Sequence, residues 1–163
     1  MSFTLRDARP EDSPTVHRLI LALARYEKLE HAVTATEADI HDSLFGATPR
    51  AYALLAEVEG QPVGFALWFY NYSTFLGRHG LYVEDVFVEP EQRGKGIGKA
   101  IFADLARRAV AQGCGRMEWW VLDWNAPSIA FYRAIGAAAM DEWTVQRLEG
   151  DALRALAHAA LQA

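Results

Sequence analysis

The chain of 163 residues contains one cysteine, Cys114, and no long hydrophobic run. A single cysteine excludes an intrachain disulfide, so a reducing compartment is the default expectation. No stretch approaches the roughly 18 apolar residues that a membrane-spanning helix needs, and the N-terminal segment has no apolar signal core. Together these absences predict a cytoplasmic protein that has no membrane partner.

Positive charge is also scarce. The 16 Lys and Arg residues are outnumbered by 21 Asp and Glu residues, which gives a formal net charge of -5. An acidic balance argues against nucleic acid as a partner and favours a cationic substrate. The composition, 52% hydrophobic and 23% charged, is typical of a globular chain with one sizeable core, so we expect a single domain.

Strand and helix patterns alternate along the chain. Apolar residues at helical spacing predict a first helix that reaches about Leu29, and Thr36 is placed to cap a second short helix that ends near Gly46. Further helices are predicted over Ile97–Ala109, Asn125–Ala134 and Asp151–Leu161, and strands over Phe3–Arg6, Ala51–Val58, Val63–Tyr72, Leu81–Val88, Met117–Leu122 and Trp143–Leu148. A turn at Gly60–Pro62 makes the second and third strands a hairpin. Hairpins combined with crossover helices predict an α/β domain with a mixed sheet.

The segment VEPEQRGKGIGKA, from Val88 to Ala100, lies between an apolar strand and an amphipathic helix. A strand, a glycine loop and a helix start together predict an anion site, because the N–H groups of a first helical turn have no intrahelical partner. The nucleotide P-loop is excluded because the glycine spacing is one residue too short and Ala100 stands at the hydroxyl position. The dinucleotide motif is excluded because Lys99 replaces its third glycine.

Arg93-Gly-Lys-Gly-Ile-Gly98 resembles the acetyl-CoA pyrophosphate loop of the GNAT acetyltransferases. The similarity extends to Tyr82–Val88 and to Trp124–Ala137, which resemble the diamine branch of that superfamily, including spermidine/spermine and thialysine acetyltransferases. The resemblance implies the GNAT fold, a mixed and mostly antiparallel central sheet flanked by helices in a single domain. Residues 1–150 would form the acetyltransferase domain, and residues 151–163 a C-terminal helical extension of it.

The resemblance also implies an activity. The expected enzyme is an N-acetyltransferase that moves an acetyl group from acetyl-CoA to a primary amine of a small molecule, such as a diamine, a polyamine or a lysine-like amino acid. Transfer would be direct, in a ternary complex and without a metal, and the family commonly forms homodimers. The alternatives are a GNAT enzyme for a peptide N-terminus or an aminoglycoside, and a non-catalytic acyl-CoA-binding module.

The cofactor site implied by the resemblance consists of three segments. The strand before the loop supplies a backbone N–H for the oxyanion, the loop binds the pyrophosphate, and the start of a later helix completes the site. The residues concerned are Val86, Phe87, Val88, Arg93, Gly94, Lys95, Gly96, Ile97, Gly98, Lys99, Asn125, Pro127, Ser128 and Tyr132.

Two adjacent carboxylates, Glu84 and Asp85, interrupt the apolar strand before the loop. An alkylammonium has a pKa of about 10.4 and a carboxylate one of about 4.3, so proton transfer to an ordinary Glu needs a water relay or a pKa raised by burial. The resemblance implies that Glu84 is the base, acting through water, and that Asp85 helps hold the cationic substrate. Adjacent strand residues point to opposite faces, so both serve one site only if the strand bulges here, as it does in the family.

Judged by the pattern alone, Tyr132 is expected to be a core aromatic residue with its hydroxyl at the surface. The match of Asn125-x-Pro-Ser-x-x-x-Tyr132 to the family implies instead that its hydroxyl stabilises the leaving thiolate. A thiol with a pKa near 8.5 is a stronger acid than a phenol with a pKa near 10, which favours a hydrogen bond over complete protonation.

Substrate contacts are predicted at the end of the first helix and on the neighbouring strands. The residues are Tyr26, Glu27, Glu30, Glu84, Asp85 and Trp119. An acidic helix end is equally typical of a solvated face, and Trp119 alternates with Trp120, so at least one of these two tryptophans belongs to the core. His31 departs from the more acidic run of polyamine-acetylating members, which favours a shorter amine.

Overall fold

The computed structural model of the protein describes residues 2–159. The chain forms two compact units with the boundary between Leu122 and Asp123. The first unit contains a five-stranded sheet in the order β1 (Phe3–Asp7), β2 (Tyr52–Val58), β3 (Gln61–Ser73), β4 (Arg78–Val88) and β5 (Met117–Glu118). The pairs from β1 to β4 are antiparallel and β5 is parallel to β4. The mixed, mostly antiparallel sheet predicted from the sequence is confirmed.

Helices cover both faces of this sheet. The strands alternate their side chains, so Phe65 and Phe87 join the core cluster under α1 (Ser13–Tyr26) and α2 (Glu37–Phe45), whereas Ala66 and Val88 lie in the cluster under α3 (Ile97–Ala111). Val16, Leu19, Ile101 and Leu105 are fully buried at the centres of these two clusters. Helices on both sides therefore bury a central sheet whose strands are apolar on both faces.

The first two helices differ in how well the sequence predicts their ends. α2 begins at the predicted cap, where Thr36 Oγ1 accepts from the Asp39 N–H at 3.2 Å and the Asp39 carboxylate accepts from the Thr36 N–H at 2.8 Å. α1 ends at Tyr26, three residues before the predicted Leu29. The cause is Lys28, which adopts a left-handed backbone (φ 62), so that the Leu29 N–H donates to the Ala24 carbonyl and reverses the chain.

The predicted hairpin between β2 and β3 is confirmed with a shifted turn. Glu59 and Gly60 both have positive φ, 52 and 74, which suits a two-residue type I′ turn whose twist matches that of the strands. Gln61 and Pro62, predicted as turn residues, already belong to β3.

The second unit contains α4 (Ala126–Ala134) and α5 (Gly150–Ala159). Asn125 caps α4 as expected, with its side-chain oxygen accepting from the Ser128 N–H at 3.3 Å. The last two residues of the predicted C-terminal helix, 160 and 161, lie outside the described residues. Among residues 2–159, no helix is both long and apolar enough to cross a membrane.

Two strand predictions were wrong. The strand expected over Met117–Leu122 is limited to its first two residues, and residues 143–148, expected as the last strand, form no regular element, with the Trp143 side chain 74% exposed. Both segments are rich in residues with high β-propensity. A segment with high β-propensity forms a strand only where a neighbouring backbone offers hydrogen-bond partners. Strand β4 pairs with only two residues of the first segment.

Candidate active site

Strand β4 changes register in its middle. Leu67 pairs with Asp85 while the next residue, Trp68, pairs with Val83, so Glu84 is an extra residue in β4 and forms a β-bulge. A bulge breaks the strict alternation of side chains, which removes the requirement that Glu84 and Asp85 point to opposite faces. The condition under which both carboxylates can serve one site is therefore met.

Beyond the bulge, one edge of β4 is open. β5 pairs only with Leu81 and Tyr82, so among the described residues no strand pairs with that side of the segment from Val83 to Val88. Alternate N–H groups of a strand point to the same edge. Such groups at an open edge are suited to binding the oxygen atoms of a ligand, as expected for the backbone of Val86 to Val88.

A cavity of about 180 Å³ lies between the end of α1 and the bulge. Two carboxylates, Glu27 and Asp85, contribute to its lining, and all the other lining residues are apolar: Ile20, Leu23, Ala24, Leu29, Ala32 and Val33. We call it the acidic cavity. None of these apolar residues was predicted as a substrate contact, although Leu29 and Val33 lie close to the predicted contact Glu30 in the sequence.

The electrostatics of the acidic cavity are unusual for a protein surface. Burial raises the pKa of Asp85 to about 7, and the negative charges of Glu84 and Glu27 add to this effect. Burial also raises the pKa of Glu27. Carboxylates held among apolar groups are destabilised when ionised unless a cation is close, so the cavity is suited to a positively charged ligand that has an aliphatic stem.

Four of the six predicted substrate contacts do not line this cavity: Tyr26, Glu30, Glu84 and Trp119. Glu30 is half exposed and pairs with Arg25, whose Nε lies 2.7 Å from a Glu30 carboxylate oxygen. Trp119 packs edge-on against Phe102 of α3 at a ring distance of 4.9 Å, within the core cluster on the α3 side. Tyr26 lies at the last position of α1, directly before Glu27. The structure therefore places Glu27 and Asp85 together at the cavity, with Tyr26 next to Glu27 in the chain and Glu84 next to Asp85.

The glycine loop has the geometry of an anion cradle. Gly94 and Gly96 adopt left-handed backbones (φ 75 and 84), and Gly96 is the N-cap of α3, with no capping hydrogen bond from a side chain within the described part of the chain. A Cβ atom added at Gly94, Gly96 or Gly98 would lie in open space. The first-turn N–H groups of α3 are thus accessible, and the positive end of the helix dipole faces outward with them. These residues fit a pyrophosphate, and Lys95 and Lys99 supply charge of the right sign.

The predicted residues of the second unit are held on α4. Asn125 is buried, with 5% of its surface exposed, and its side chain orients the first turn, which contains Pro127 and Ser128. Tyr132 follows in the second turn, half-buried, with its ring 5.5 Å from that of Phe131.

Cys114 has no features of a nucleophile. It lies in the turn after α3, its N–H donates to the Ala109 carbonyl, and burial raises the pKa of its thiol. Because the thiolate is the reactive form, a raised pKa makes this cysteine a poor acyl acceptor.

Comparison with known proteins identifies the family. A family model described as "Acetyltransferase (GNAT) family" matches residues 15–137, which extend over both units. Thialysine N-epsilon-acetyltransferase of Bos taurus is 40% identical over 169 residues, covering 96% of this chain and 99% of the relative. An L-ornithine N5-acetyltransferase of Arabidopsis thaliana is 33% identical over 197 residues, covering 93% and 86%. Among solved structures, an integron cassette protein from the mobile metagenome of V. cholerae matches with a TM-score of 0.81 and 27% identity, covering 96% and 98%.

Proposed function

This chain belongs to the GNAT acetyltransferase family and is an acetyl-CoA-dependent N-acetyltransferase, and we propose that its acceptor is a short aliphatic amine with a second cationic group. A diamine or a lysine-like amino acid has this chemistry, and a polyamine is the longer alternative. The observation that supports the proposal is the acidic cavity, in which Glu27 and Asp85 are surrounded by apolar side chains.

The lining of the cavity discriminates between acceptor classes. An alkylammonium places its methylene stem against the apolar residues and its charge beside the carboxylates, so every group has a suitable partner. The hydroxyl groups of an aminoglycoside would face Ile20, Leu23 and Val33 without hydrogen-bond partners, which would weaken its binding. The names of the similar proteins, which act on thialysine and ornithine, support the same choice of a compact amine.

For the donor, we propose the three segments expected from the sequence. The loop from Arg93 to Lys99 binds the pyrophosphate through its N–H groups and lysines. The open edge of β4 at Val86 to Val88 offers N–H groups to the donor. The start of α4, with Asn125, Pro127 and Ser128, completes the site. Acetyl-CoA supplies the thioester whose acetyl group is transferred.

For proton transfer, we propose that the two carboxylates of the bulge have separate tasks. Glu84 is exposed, so water reaches it, and it accepts the proton of the reacting ammonium through a water molecule. Asp85 is partly buried in the acidic cavity and holds the second cationic group of the acceptor. Tyr132 donates a hydrogen bond to the leaving thiolate. We further propose that the enzyme acts as a homodimer in the cytoplasm, as the family's common state and the single cysteine suggest.

Turnover of acetyl-CoA over a panel of amines tests this proposal. We expect the highest kcat/KM for short diamines, ornithine, lysine or thialysine, a lower value for spermidine, and none above background for an aminoglycoside or a peptide N-terminus. Rates should rise from pH 6 to pH 9, because the neutral amine is the nucleophile. Micromolar binding of CoA without turnover of any amine would contradict the proposal and favour an acyl-CoA-binding module.

Replacing Gly96 by alanine should weaken CoA binding by about tenfold or more. A side chain at φ 84 is strained by about 1–2 kcal/mol, and relief of that strain moves the N–H groups that begin α3. Isothermal titration with CoA measures the effect. Gly60→Ala is the matched control, because Gly60 has a similar φ of 74 in open space but lies in the β2–β3 turn. Equal losses of CoA affinity in both variants would argue against a role of the loop in binding.

A further inference from the structure

Arg93 begins the glycine loop, but its side chain contacts protein groups outside that loop. Its Nε donates to the carbonyl of Val88 at 2.9 Å. Its guanidinium carbon lies 4.4 Å from the centre of the Tyr26 ring and 5.6 Å from that of Phe87. Both distances are within the range of cation–π contact.

These contacts join three elements that define the site. Val88 is the last residue of β4, the strand that contains the Glu84 bulge. Tyr26 is the last residue of α1, and the next residue, Glu27, lines the acidic cavity. Arg93 thus connects the beginning of the cofactor loop to the strand and to the helix end that shape the acceptor cavity.

We propose that Arg93 is a positioning residue that organises the acceptor cavity through Tyr26, an inference that rests on the proposed function. The alternative is a direct phosphate contact, which Lys95 and Lys99 can supply from the same loop. A guanidinium that stacks on an aromatic ring and donates from Nε uses two features that lysine lacks, its planar shape and its fixed donor. Arginine is therefore required at this position even where charge alone would suffice for the pyrophosphate.

A double-mutant cycle on Arg93 and Tyr26 tests the proposal. Arg93→Lys keeps the charge and removes both the Nε donor and the planar group, and Tyr26→Leu removes the ring. We expect each single variant to raise the KM of the amine by about tenfold while kcat changes by less than about threefold. The double variant should resemble the single ones, because the effects of substituting two residues in contact are not additive. Tyr26→Phe, which keeps the ring, should retain at least about fivefold more amine affinity than Tyr26→Leu.

Arg18→Lys is the matched control. Arg18 also connects α1 to the end of β4, through an ion pair with Glu89 at 2.7 Å and a hydrogen bond to the Pro62 carbonyl at 3.0 Å. These contacts are with a carboxylate and a carbonyl, whereas Arg93 contacts the rings of Tyr26 and Phe87. Its replacement should leave both KM values unchanged. Thermal unfolding of all variants identifies losses that arise from reduced stability alone.

Three results would overturn the inference. One is an Arg93→Lys variant that raises only the KM of acetyl-CoA, which would make Arg93 a phosphate ligand. Another is additivity of the two single variants. The third is a loss of kcat and of both affinities in proportion to a lowered Tm. Failure of the proposed function is distinguishable, because it would appear as absent turnover in the wild type. In that case the same cycle is measured by thermal unfolding, in which the coupling between Arg93 and Tyr26 is expected to persist, because their contact does not depend on turnover.

Discussion

Replacing Asp85 by asparagine is expected to stabilise the protein above pH 7 and to have little effect near pH 3. The pKa of Asp85 is raised to about 7 in the folded chain from an ordinary value of 3.8. The unfolded chain therefore releases this proton at lower pH than the folded chain. As a result, the wild type loses stability as the pH rises from about 4 to about 7. A shift of about 3 pKa units corresponds to a loss of at most about 4 kcal/mol in the free energy of unfolding of the wild type. Asparagine does not ionise, so the variant avoids this loss.

Urea unfolding of the wild type and of Asp85→Asn at several pH values measures this difference. The gain in free energy of unfolding should appear above pH 4, grow until about pH 7 and then stay constant. Glu84→Gln should move this pH course of the wild-type Asp85 to lower pH, because it removes a neighbouring negative charge that helps raise the pKa of Asp85. A gain for Asp85→Asn that is equal at pH 3 and pH 8 would show that Asp85 has an ordinary pKa.

The same variant should lose affinity for the acceptor. A cationic amine in the acidic cavity favours the ionised form of Asp85, so the KM of the wild type for the amine should fall as the pH rises from 6 to 8. Asp85→Asn should have a higher KM without this pH dependence. Lower stability of the free protein together with better binding of the ligand is the usual compromise at a functional site. If the variant kept the wild-type KM at pH 8, Asp85 would have no part in substrate binding.

Tyr132→Phe is expected to lower kcat by about 10²-fold, the low end for general acid catalysis, with little change in the KM of either substrate. The change removes one hydroxyl from α4 and leaves its helix cap, Asn125, intact. The loss should fall on the chemical step, because the proposed hydrogen bond to the thiolate would be strongest when the thioester breaks.

Steady-state kinetics with saturating amine and acetyl-CoA measures this loss. Tyr72→Phe removes the same hydroxyl from a tyrosine of β3 that is 63% exposed, and it should have no effect on kcat. A loss of less than threefold for Tyr132→Phe would remove Tyr132 from the mechanism, and a raised KM for acetyl-CoA with normal kcat would make it a binding residue only.

Local features of the fold were predictable because their causes lie within a few residues. The capping box of Thr36 and Asp39, the Asn125 cap and the β2–β3 hairpin all depend on hydrogen bonds or backbone preferences between near neighbours. The end of α1 was not predictable, because a lysine with a left-handed backbone gives no signal of the kind that glycine gives.

By itself, the sequence determined the family and the donor, since the glycine loop, its arginine and its lysines occupy consecutive positions from Arg93 to Lys99. The tertiary structure decided the properties of the proposed acceptor site. The pKa of Asp85 depends on which side chains exclude water from it, and these come from α1 and from the turn after it, more than 50 residues away in the chain. The contact of Arg93 with Tyr26 has the same origin. A residue pattern cannot specify solvation or contact between distant segments, because both are set only when the chain packs.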